Sequence, residues 1–277
     1  AACAPDGFPL TVTDASGAEI TFERPPERIV SVTPSETEVL FAVGAGPRVV
    51  GVDDWSDYPE EAAALPKVGG FETNIEAVLE LEPDLVVGSY SMSAAALGEL
   101  RKLGLAVYAS DPKTFDDVIA HIRAVGAVTG CAEGADKAAA KLEDDRRFVA
   151  EAVGDMAAEE RKKVYVEFSE GWTVGKGEFI DELIAEAGGV NIAEQPGWYE
   201  INGEYVIEAN PDVILYSGNV PGLGEKIAGR AGWDRIEAVK AGRVIPLNDN
   251  LYVRPGPRLG EGLIEAAKAI YPERFPQ

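Results

Sequence analysis

Histidine and cysteine are the residues that this sequence has least of. Among its 277 residues there is one histidine, His121, and there are two cysteines, Cys3 and Cys131. A Ser-His-Asp or Cys-His mechanism would have to use that one histidine, and a zinc site built on several histidines is excluded. The two cysteines lie far apart and form no Cys-x-x-Cys motif. Cys131 is therefore predicted to be a small buried hydrophobic residue and not a partner of Cys3.

Basic residues are also scarce. The chain has 25 lysines and arginines against 48 aspartates and glutamates, which gives a formal net charge of −23. A nucleic-acid-binding protein needs a basic surface, and an anionic lipid surface attracts basic segments, so both are excluded as partners of the chain as a whole. The sequence also contains no run of about 18 apolar residues, so no segment of it is predicted to span a bilayer.

Short runs rich in valine and isoleucine recur between amphipathic stretches. They begin at Ile29, Val49, Leu85, Leu105, Val164, Val213 and Val244. Runs this short, bounded by glycine and proline, predict buried parallel strands, and strands that alternate with helices predict α/β layers. Leu10–Thr13 and Glu19–Phe22 predict a separate β-hairpin. The stretch from Ala132 to about Met156 is rich in Ala, Glu, Lys, Asp and Arg and predicts one long helix near the middle of the chain.

The two halves on either side of that helix contain a repeated motif. Asn74–Ser89 reads NIEAVLELEPDLVVGS, and Asn202–Ser217 reads NGEYVIEANPDVILYS. Both predict an asparagine N-cap, a short helix, a Pro-Asp turn and a buried strand. One such unit in each half predicts two similar lobes with a cleft between them, which is where ligands usually bind. The predicted divisions are a flexible tether at 1–9, an N-terminal lobe at 10–130, an interlobe helix at 131–158 and a C-terminal lobe at 159–277.

Aromatic residues fall at the predicted ends of strands and beside the two asparagine caps. They are Trp55, Phe71, Tyr90, Trp172, Trp198, Tyr199 and Tyr252. In α/β folds these positions bind ligands, and large rings in loops provide flat apolar contact with a polar edge. We therefore predict a binding site for a bulky, partly flat ligand. The alternative is that each ring covers only the hydrophobic core next to it.

No pattern in the sequence predicts a catalytic site or a resident metal. Gly171–Gly177 has glycines and a lysine, but its spacing does not match a phosphate-binding loop. The 48 acidic residues form no recognisable hydrolase pair. His121 lies four residues after Asp117 on a predicted helix, so we expect a partly exposed histidine paired with that aspartate.

The first three residues, Ala1-Ala2-Cys3, match the end of a bacterial lipoprotein signal, in which cleavage falls just before a cysteine that is then lipidated. The polar, Pro/Gly-containing residues that follow would suit a tether. Cys3 is therefore predicted to carry lipid. The alternative is a coincidental cysteine.

Several motifs resemble the substrate-binding proteins of ABC importers for cobalamin and ferric siderophores. They are Arg28–Glu38 (RIVSVTPSETE), Gly51–Pro59 (GVDDWSDYP), Val68–Phe71 with Asn74–Glu76, and both Pro-Asp strands. The similarity extends from about Arg28 to Tyr271. It implies an α/β fold with two Rossmann-like lobes, mostly parallel central sheets and one long linker helix. It also implies that Glu76 and Glu204, one in each lobe, dock onto arginines of a membrane permease.

The same resemblance is strongest to cobalamin-binding proteins, whose aromatic cleft positions correspond to Trp55, Phe71, Trp172 and Trp198. Arg254 matches a cleft arginine of that group, whereas the aspartate expected four residues before it is Asn250, with Asp249 next to it. Cobalamin or another corrinoid is the predicted ligand. A ferric siderophore bound through Arg254, or haem bound through Tyr90 or Tyr252, are the alternatives.

These features predict a non-enzymatic capture protein, monomeric and extracytoplasmic, in the periplasm or at the cell surface and anchored through Cys3. Two other classes stay open. An enzyme on the same two-lobed scaffold would turn over its ligand, since a fold alone does not fix a function. A purely adhesive surface lipoprotein would bind no ligand in the cleft.

Overall fold

The structure is a computed structural model that describes Cys3 and residues 7–275. The chain divides into two compact units. Unit 1 comprises Ala1–Pro112 and Asp116–Lys141, and unit 2 comprises Lys113–Phe115 and Leu142–Gln277. Most of the predicted tether at 1–9 lies outside the described residues. Among those that are described, no helix has both the length and the hydrophobicity that a membrane span requires.

The described residues of unit 1 form six strands and most of five helices. The strands are β1 (Leu10–Thr13), β2 (Glu19–Phe22), β3 (Ile29–Ser31), β4 (Val49–Val52), β5 (Leu85–Ser89) and β6 (Val107–Ser110). The helices are α1 (Pro34–Val43), α2 (Glu60–Ala63), α3 (Ile75–Glu80), α4 (Tyr90–Lys102) and α5 (Phe115–Val128), with a 3-10 turn at Gly46–Arg48.

The central sheet of unit 1 is parallel throughout, in the order β4-β3-β5-β6. Its strands are short and hydrophobic on both faces because helices cover both sides, and Ile29, Val30 and Val86 have no exposed surface. β1 and β2 form an antiparallel hairpin in which Leu10 lies opposite Phe22. The predicted parallel strands and the predicted hairpin are confirmed.

The long helix α6 (Ala132–Val153) has 22 residues and passes from unit 1 into unit 2 at Lys141. Alanine, glutamate and lysine favour it, and Ala135, Ala139 and Leu142 provide its buried face. Gly154 follows its last residue, so the helix ends earlier than the predicted limit of 158.

Unit 2 repeats the architecture. Its strands are β7 (Lys163–Glu167), β8 (Trp172–Val174), β9 (Val190–Asn191), β10 (Trp198–Glu200), β11 (Val213–Ser217) and β12 (Val244–Leu247). Its helices are α7 (Phe179–Glu186), α8 (Gly203–Ala209), α9 (Leu223–Ala228), α10 (Glu237–Lys240), α11 (Asp249–Tyr252) and α12 (Leu259–Ile270), with 3-10 turns at Ala158–Glu160, Trp233–Arg235 and Pro272–Arg274. The parallel sheet has the order β12-β11-β7-β9, and β8 and β10 form a separate antiparallel ribbon.

The repeated motif has the same structure in both units. The Asn74 side chain accepts a hydrogen bond from Ala77 N at 3.1 Å, and that of Asn202 accepts one from Glu204 N at 2.8 Å. Each asparagine thus caps a short helix, as predicted. In both units the strand after the Pro-Asp turn pairs in parallel with the first strand of the central sheet.

The aspartates of the two Pro-Asp turns bind the backbone that leads into that first strand. Asp84 accepts hydrogen bonds from the backbone N–H groups of Glu27 and Arg28, both at 2.8 Å. Asp212 accepts one from Lys163 N, also at 2.8 Å. A carboxylate that accepts backbone N–H groups fixes where the neighbouring strand begins.

Cys3 and Cys131 form a disulfide in unit 1. Cys131 is buried, as predicted, but the prediction that it does not pair with Cys3 is wrong. The pairing was not predictable because 128 positions separate the two residues in the chain, and only the packing of unit 1 brings them together. A lipid thioether on Cys3 would need the same sulfur atom that forms the disulfide. Cys3 therefore cannot carry a lipid while it is bonded to Cys131, as it is in this structure.

His121 is buried, and the prediction of a partly exposed side chain paired with Asp117 is wrong. Its Nε2 lies 2.9 and 3.0 Å from the two carboxylate oxygens of Glu36, which is itself buried on α1. The imidazole also stacks on Tyr108, with ring centroids 6.0 Å apart. The inward face of α5 carries the histidine, so a contact 85 positions away along the chain defines its environment.

Candidate functional site

The aromatic side chains of unit 1 follow β4 and β5, the two strands that flank β3. Trp55 comes three residues after β4, and Tyr90 comes directly after β5. Because carboxyl ends of parallel strands meet at one edge of a sheet, both rings lie at the edge where α/β folds bind ligands. Tyr90 was expected to lie in a loop, whereas it is the first residue of α4. Its ring is nevertheless exposed.

Trp55 and Phe71 form an exposed pair of rings in unit 1. Their centroids are 4.5 Å apart with an interplanar angle of 65°, the edge-to-face arrangement that aromatic pairs favour. Trp55 is 39% exposed and Phe71 is 88% exposed, so both present apolar surface to solvent. Gly70 permits the arrangement because a Cβ there would lie 2.9 Å from Trp55 Cη2. Unit 1 therefore has a two-ring apolar surface that a flat ligand can contact.

Met92 adds exposed apolar surface beside Tyr90, and sequence reasoning missed it. It lies in the first turn of α4 and is among the exposed large hydrophobic residues. The next residue, Ser93, departs from helical geometry, with φ −128° and ψ 18°. The sequence signal was present, since a methionine two residues after a strand-end tyrosine adds a second adaptable apolar side chain to the same segment.

The corresponding surface of unit 2 is built on the ribbon of β8 and β10. Trp172 lies opposite Glu200, and Trp198 lies opposite Val174, so Trp172 and Trp198 share one face of the ribbon. They are 46% and 48% exposed. Phe168 packs against Trp198 at a centroid distance of 5.0 Å. This face carries the two predicted tryptophans, and Phe168 is a further ring that sequence reasoning had placed only in a strand.

Tyr199 lies on the other face of the ribbon from the two tryptophans, and its contact with a ligand stays a prediction. Alternation along β10 turns its side chain to the opposite face, where it packs against the hydrophobic core of unit 2. There it lines a cavity of about 390 Å³ together with Glu194 and Tyr205. Burial raises the pKa of the Tyr199 phenol above its usual value.

Tyr252 is fully buried, at 0% exposure, so the prediction that its ring contacts a ligand, or binds haem iron, is wrong for this structure. It is the last residue of the one-turn helix α11, which turns the ring into the core. Asn250 and Arg254, on either side of it, are half-buried and keep part of their polar surface exposed.

Asp249, next to Asn250, accepts a hydrogen bond from the Ser217 hydroxyl at the carboxyl end of β11. Burial raises the pKa of this carboxyl group above its ordinary value, and the hydrogen bond from Ser217 only partly opposes that shift. The loop after β12 thus places an acid next to the polar residues predicted to orient a ligand.

Glu76 and Glu204 occupy matching places in the two units. Each is an exposed residue in the first turn of its asparagine-capped helix, α3 or α8. A carboxylate in that turn is favoured by the helix dipole by about 0.3–1 kcal/mol. Both helices also carry a second exposed glutamate four residues later, Glu80 and Glu208. The two units therefore present the same pair of carboxylates on equivalent short helices.

The described part of the chain, Cys3 and residues 7–275, contains no group of three or more His, Cys, Asp or Glu side chains that could hold a metal ion. Unit 1 has an exposed aromatic surface, and unit 2 has its own exposed aromatic surface together with a half-buried arginine and amide. Such surfaces can bind a large ligand by stacking and by hydrogen bonds at the ligand's edges.

Comparison with known proteins defines the class. Residues 29–251 match the family described as periplasmic binding protein. The sequence is 36% identical to an uncharacterized ABC transporter substrate-binding lipoprotein, YvrC, of Bacillus subtilis, over 97% of this chain and 87% of that protein. It is 32% identical to a vitamin B12-binding protein of Vibrio cholerae, over 84% of this chain and 85% of that protein.

A solved structure has the same fold. The periplasmic haem-binding protein RhuT of Roseiflexus sp. RS-1, in its apo form, superimposes with a TM-score of 0.81 at 28% sequence identity, covering 90% of this chain and 99% of that one. The chain belongs to the periplasmic binding protein family, a class of binding proteins and not of enzymes. Within it, the chain is the substrate-binding component of an ABC transporter, similar to proteins described as binding vitamin B12 or haem.

Proposed function

We propose that this protein captures cobalamin or a related corrinoid and delivers it to the permease of an ABC importer. The observation that carries the proposal is the pair of exposed aromatic surfaces, Trp55 with Phe71 in unit 1 and Trp172 with Trp198 in unit 2. A corrin ring is large, flat and mostly apolar, and exposed tryptophan rings bind such a surface by stacking. The similarity to a vitamin B12-binding protein over most of the chain supports the same ligand.

The test is a titration of the purified protein with cyanocobalamin, followed by calorimetry because the ligand itself absorbs light. One-to-one binding in the nanomolar to micromolar range, about −8 to −12 kcal/mol, is the expected result. Trp55→Ala and Trp172→Ala should each weaken binding at least tenfold. Phe148→Ala, which removes an exposed ring on α6, is the matched control and should leave the affinity unchanged. An absence of heat with cyanocobalamin at high micromolar concentration would contradict the corrinoid proposal.

Calorimetry with other ligands distinguishes the two alternatives, a ferric siderophore and haem. A ferric hydroxamate would use the half-buried guanidinium of Arg254 against its anionic oxygens, so Arg254→Ala should abolish its binding. Haem would need an iron ligand, and Tyr90 has an exposed phenol on the site edge of unit 1. Tight binding of ferric hydroxamate or haemin, with no binding of cyanocobalamin, would transfer the proposal to that ligand and retain the importer function.

We also infer that Glu76 and Glu204 dock the protein onto its permease. Their equivalent exposed positions, one in each unit, suit a partner with two similar basic sites. Glu76→Ala with Glu204→Ala should abolish uptake of labelled cobalamin by cells that depend on this protein, with affinity unchanged. Glu80→Ala with Glu208→Ala removes the same charge from the same two helices and is the control, so normal uptake is expected. Equal loss of uptake in both pairs would mean that net charge, and not these two positions, matters.

A further inference from the structure

A buried carboxylate lies beneath the backbone that carries Trp55. Asp53 follows the last residue of β4 and is 1% exposed. Its Oδ2 accepts a hydrogen bond from Trp55 N at 3.0 Å, and its Oδ1 accepts one from the Ser56 hydroxyl. The oxygen of that hydroxyl lies 2.7 Å from Thr37 Oγ1 on α1, which also lies 2.8 Å from Ser31 Oγ of β3, so Thr37 can donate to either serine. The turn that carries the tryptophan is thereby tied to the rigid sheet of unit 1.

A second buried carboxylate lies beneath the ribbon of unit 2. Glu167 is the last residue of β7 and is 0% exposed. Its Oε1 accepts a hydrogen bond from Gly171 N at 3.2 Å, and its Oε2 accepts one from the Tyr165 hydroxyl at 2.8 Å. The Arg230 guanidinium binds both oxygens, at 2.7 and 3.0 Å, and stacks over Trp233 at 4.2 Å. Such a two-point pair has a fixed geometry.

The residue held by Glu167 directly precedes Trp172. Gly171 has a φ of +77°, a conformation that glycine adopts without strain, and its N–H is directed at the carboxylate. Asp53 and Glu167 therefore have similar surroundings, although β4 is an edge strand of its sheet and β7 is an interior strand. Each lies at the carboxyl end of a sheet strand, each is buried, and each accepts a hydrogen bond from the backbone at or next to an exposed tryptophan.

We propose that Asp53 and Glu167 are positioning residues that hold the backbone of Trp55 and Trp172 in the orientation used for ligand binding. The proposal rests on the function proposed above. Neither carboxylate is exposed enough to touch a ligand, so each acts only through its tryptophan. A ring whose backbone is already fixed loses less conformational freedom when a ligand binds, which is the general advantage of preorganisation.

The test substitutes each carboxylate by its amide, which keeps the shape but turns one acceptor oxygen into a donor NH₂ group. Asp53→Asn and Glu167→Gln should each weaken cyanocobalamin binding by about three- to tenfold. In a Trp55→Ala background, Asp53→Asn should cause no further loss, whereas in a Trp172→Ala background its full effect should persist. Glu167→Gln should show the reverse dependence on the two tryptophans.

A purely structural role would give a different pattern, because lost stability does not depend on which tryptophan is present. Losses of affinity that add equally in both tryptophan backgrounds would overturn the proposal. If Glu167→Gln does not fold, Tyr165→Phe removes only one donor from the same carboxylate and should show the same dependence on Trp172 with a smaller effect.

A measurement without ligand separates this proposal from the corrinoid proposal. Labelling with 5-fluorotryptophan should give four ¹⁹F resonances, since the chain has four tryptophans, and single Trp→Phe variants assign them. Asp53→Asn should shift or broaden the Trp55 resonance and leave Trp172 and Trp198 unchanged. Glu167→Gln should affect Trp172, and also Trp233, which stacks on Arg230. These shifts in a protein that binds no corrinoid would support the positioning role and reject the ligand. Unchanged Trp55 and Trp172 resonances would reject the positioning role.

Discussion

Unit 1 and unit 2 share a scaffold but stabilise their tryptophan-bearing loops with different chemistry. In unit 1 the Asp53 carboxylate is hydrogen-bonded to a backbone N–H and a serine hydroxyl. In unit 2 the Glu167 carboxylate is hydrogen-bonded to a guanidinium, a phenol and a backbone N–H. A buried charge needs partners in either case. The two units thus share the strands and capped helices that the repeated sequence motif specifies. The partners of the buried carboxylate differ between them, because different side chains pack next to it in each unit.

The largest expected difference between the units comes from removing the cation near each carboxylate. Arg230→Ala leaves the buried Glu167 charge without its ion pair and should lower the free energy of unfolding by about 3–5 kcal/mol. Lys67→Ala removes an ammonium that donates to the carbonyl oxygens of Asp53 and Ser56, at 3.2 and 2.9 Å. It should cost only about 0.5–1.5 kcal/mol because Lys67 is exposed to solvent. Urea denaturation monitored by circular dichroism measures both.

Combining Glu167→Gln with Arg230→Ala is the control, because it removes the charge together with its partner. This pair should recover part of the stability that Arg230→Ala loses. An equal loss from Lys67→Ala and Arg230→Ala would show that the two loops depend on their cations to the same degree, and the contrast between the units would not hold.

The next largest effect concerns the two Pro-Asp turns. Asp84→Ala removes two hydrogen bonds to backbone N–H groups and should lower the free energy of unfolding by about 1–2 kcal/mol, whereas Asp212→Ala removes one and should cost about half as much. Asparagine at each position retains one acceptor oxygen. Asp212→Asn should therefore be close to neutral and Asp84→Asn should lose about half of the alanine effect. A reversed order of the two alanine variants would contradict the structural difference.

The asparagine caps should show the smallest difference between units. Asn74→Ala and Asn202→Ala each remove one bond to the first turn of a short helix and should each cost about 1 kcal/mol, measured by thermal melting. Aspartate accepts the same bond, so Asn74→Asp and Asn202→Asp should retain most of the stability. A much larger loss in one unit would mean that its cap also holds the tertiary structure together.

The pKa shifts of one aspartate in each unit predict opposite dependences of stability on pH. Burial acts to raise the pKa of Asp14 in unit 1, but hydrogen bonds from Ser16 and from backbone N–H groups, with the charge of Arg101, lower it overall. Its contribution to stability is therefore present above its ordinary pKa of about 3.8 and is lost as pH falls. Burial raises the pKa of Asp249 in unit 2, so stability declines as pH rises from that ordinary value through the raised pKa.

Thermal melts from pH 3 to pH 8 check these signs. Asp249→Asn should raise the melting temperature at neutral pH, because the amide carries no charge and can still accept the Ser217 hydroxyl bond. It should also remove part of the decline that begins as pH rises above about 3.8. Asp14→Asn should lower the melting temperature at neutral pH and reduce the loss on the acid side. Parallel shifts at every pH in either variant would contradict the assigned titration.

The positions of the exposed aromatic residues were predictable because the ends of strands follow from local patterns. Trp55, Phe71, Trp172 and Trp198 are exposed where the pattern placed them. The inward orientation of Tyr199 and Tyr252 was not predictable because β10 and the single turn of α11 are too short for a periodicity to be read from sequence. The alternation of side chains along β10 turns Tyr199 inward, and the rotation of α11 turns Tyr252 inward. Neither direction is known until the backbone is seen.

The sequence by itself determined the parallel strands, the capped helices and the long central helix, because short hydrophobic runs, asparagine caps and alanine-rich stretches act over a few neighbouring residues. Tertiary structure alone decided the partners of His121 and Cys131 and the ion-pair partner of Glu167. The first two are paired across 85 and 128 positions of the chain, and Glu167 is bound to Arg230 across 63. Local patterns carry no information over such separations, since a buried polar group takes the partner that folding brings within hydrogen-bonding distance.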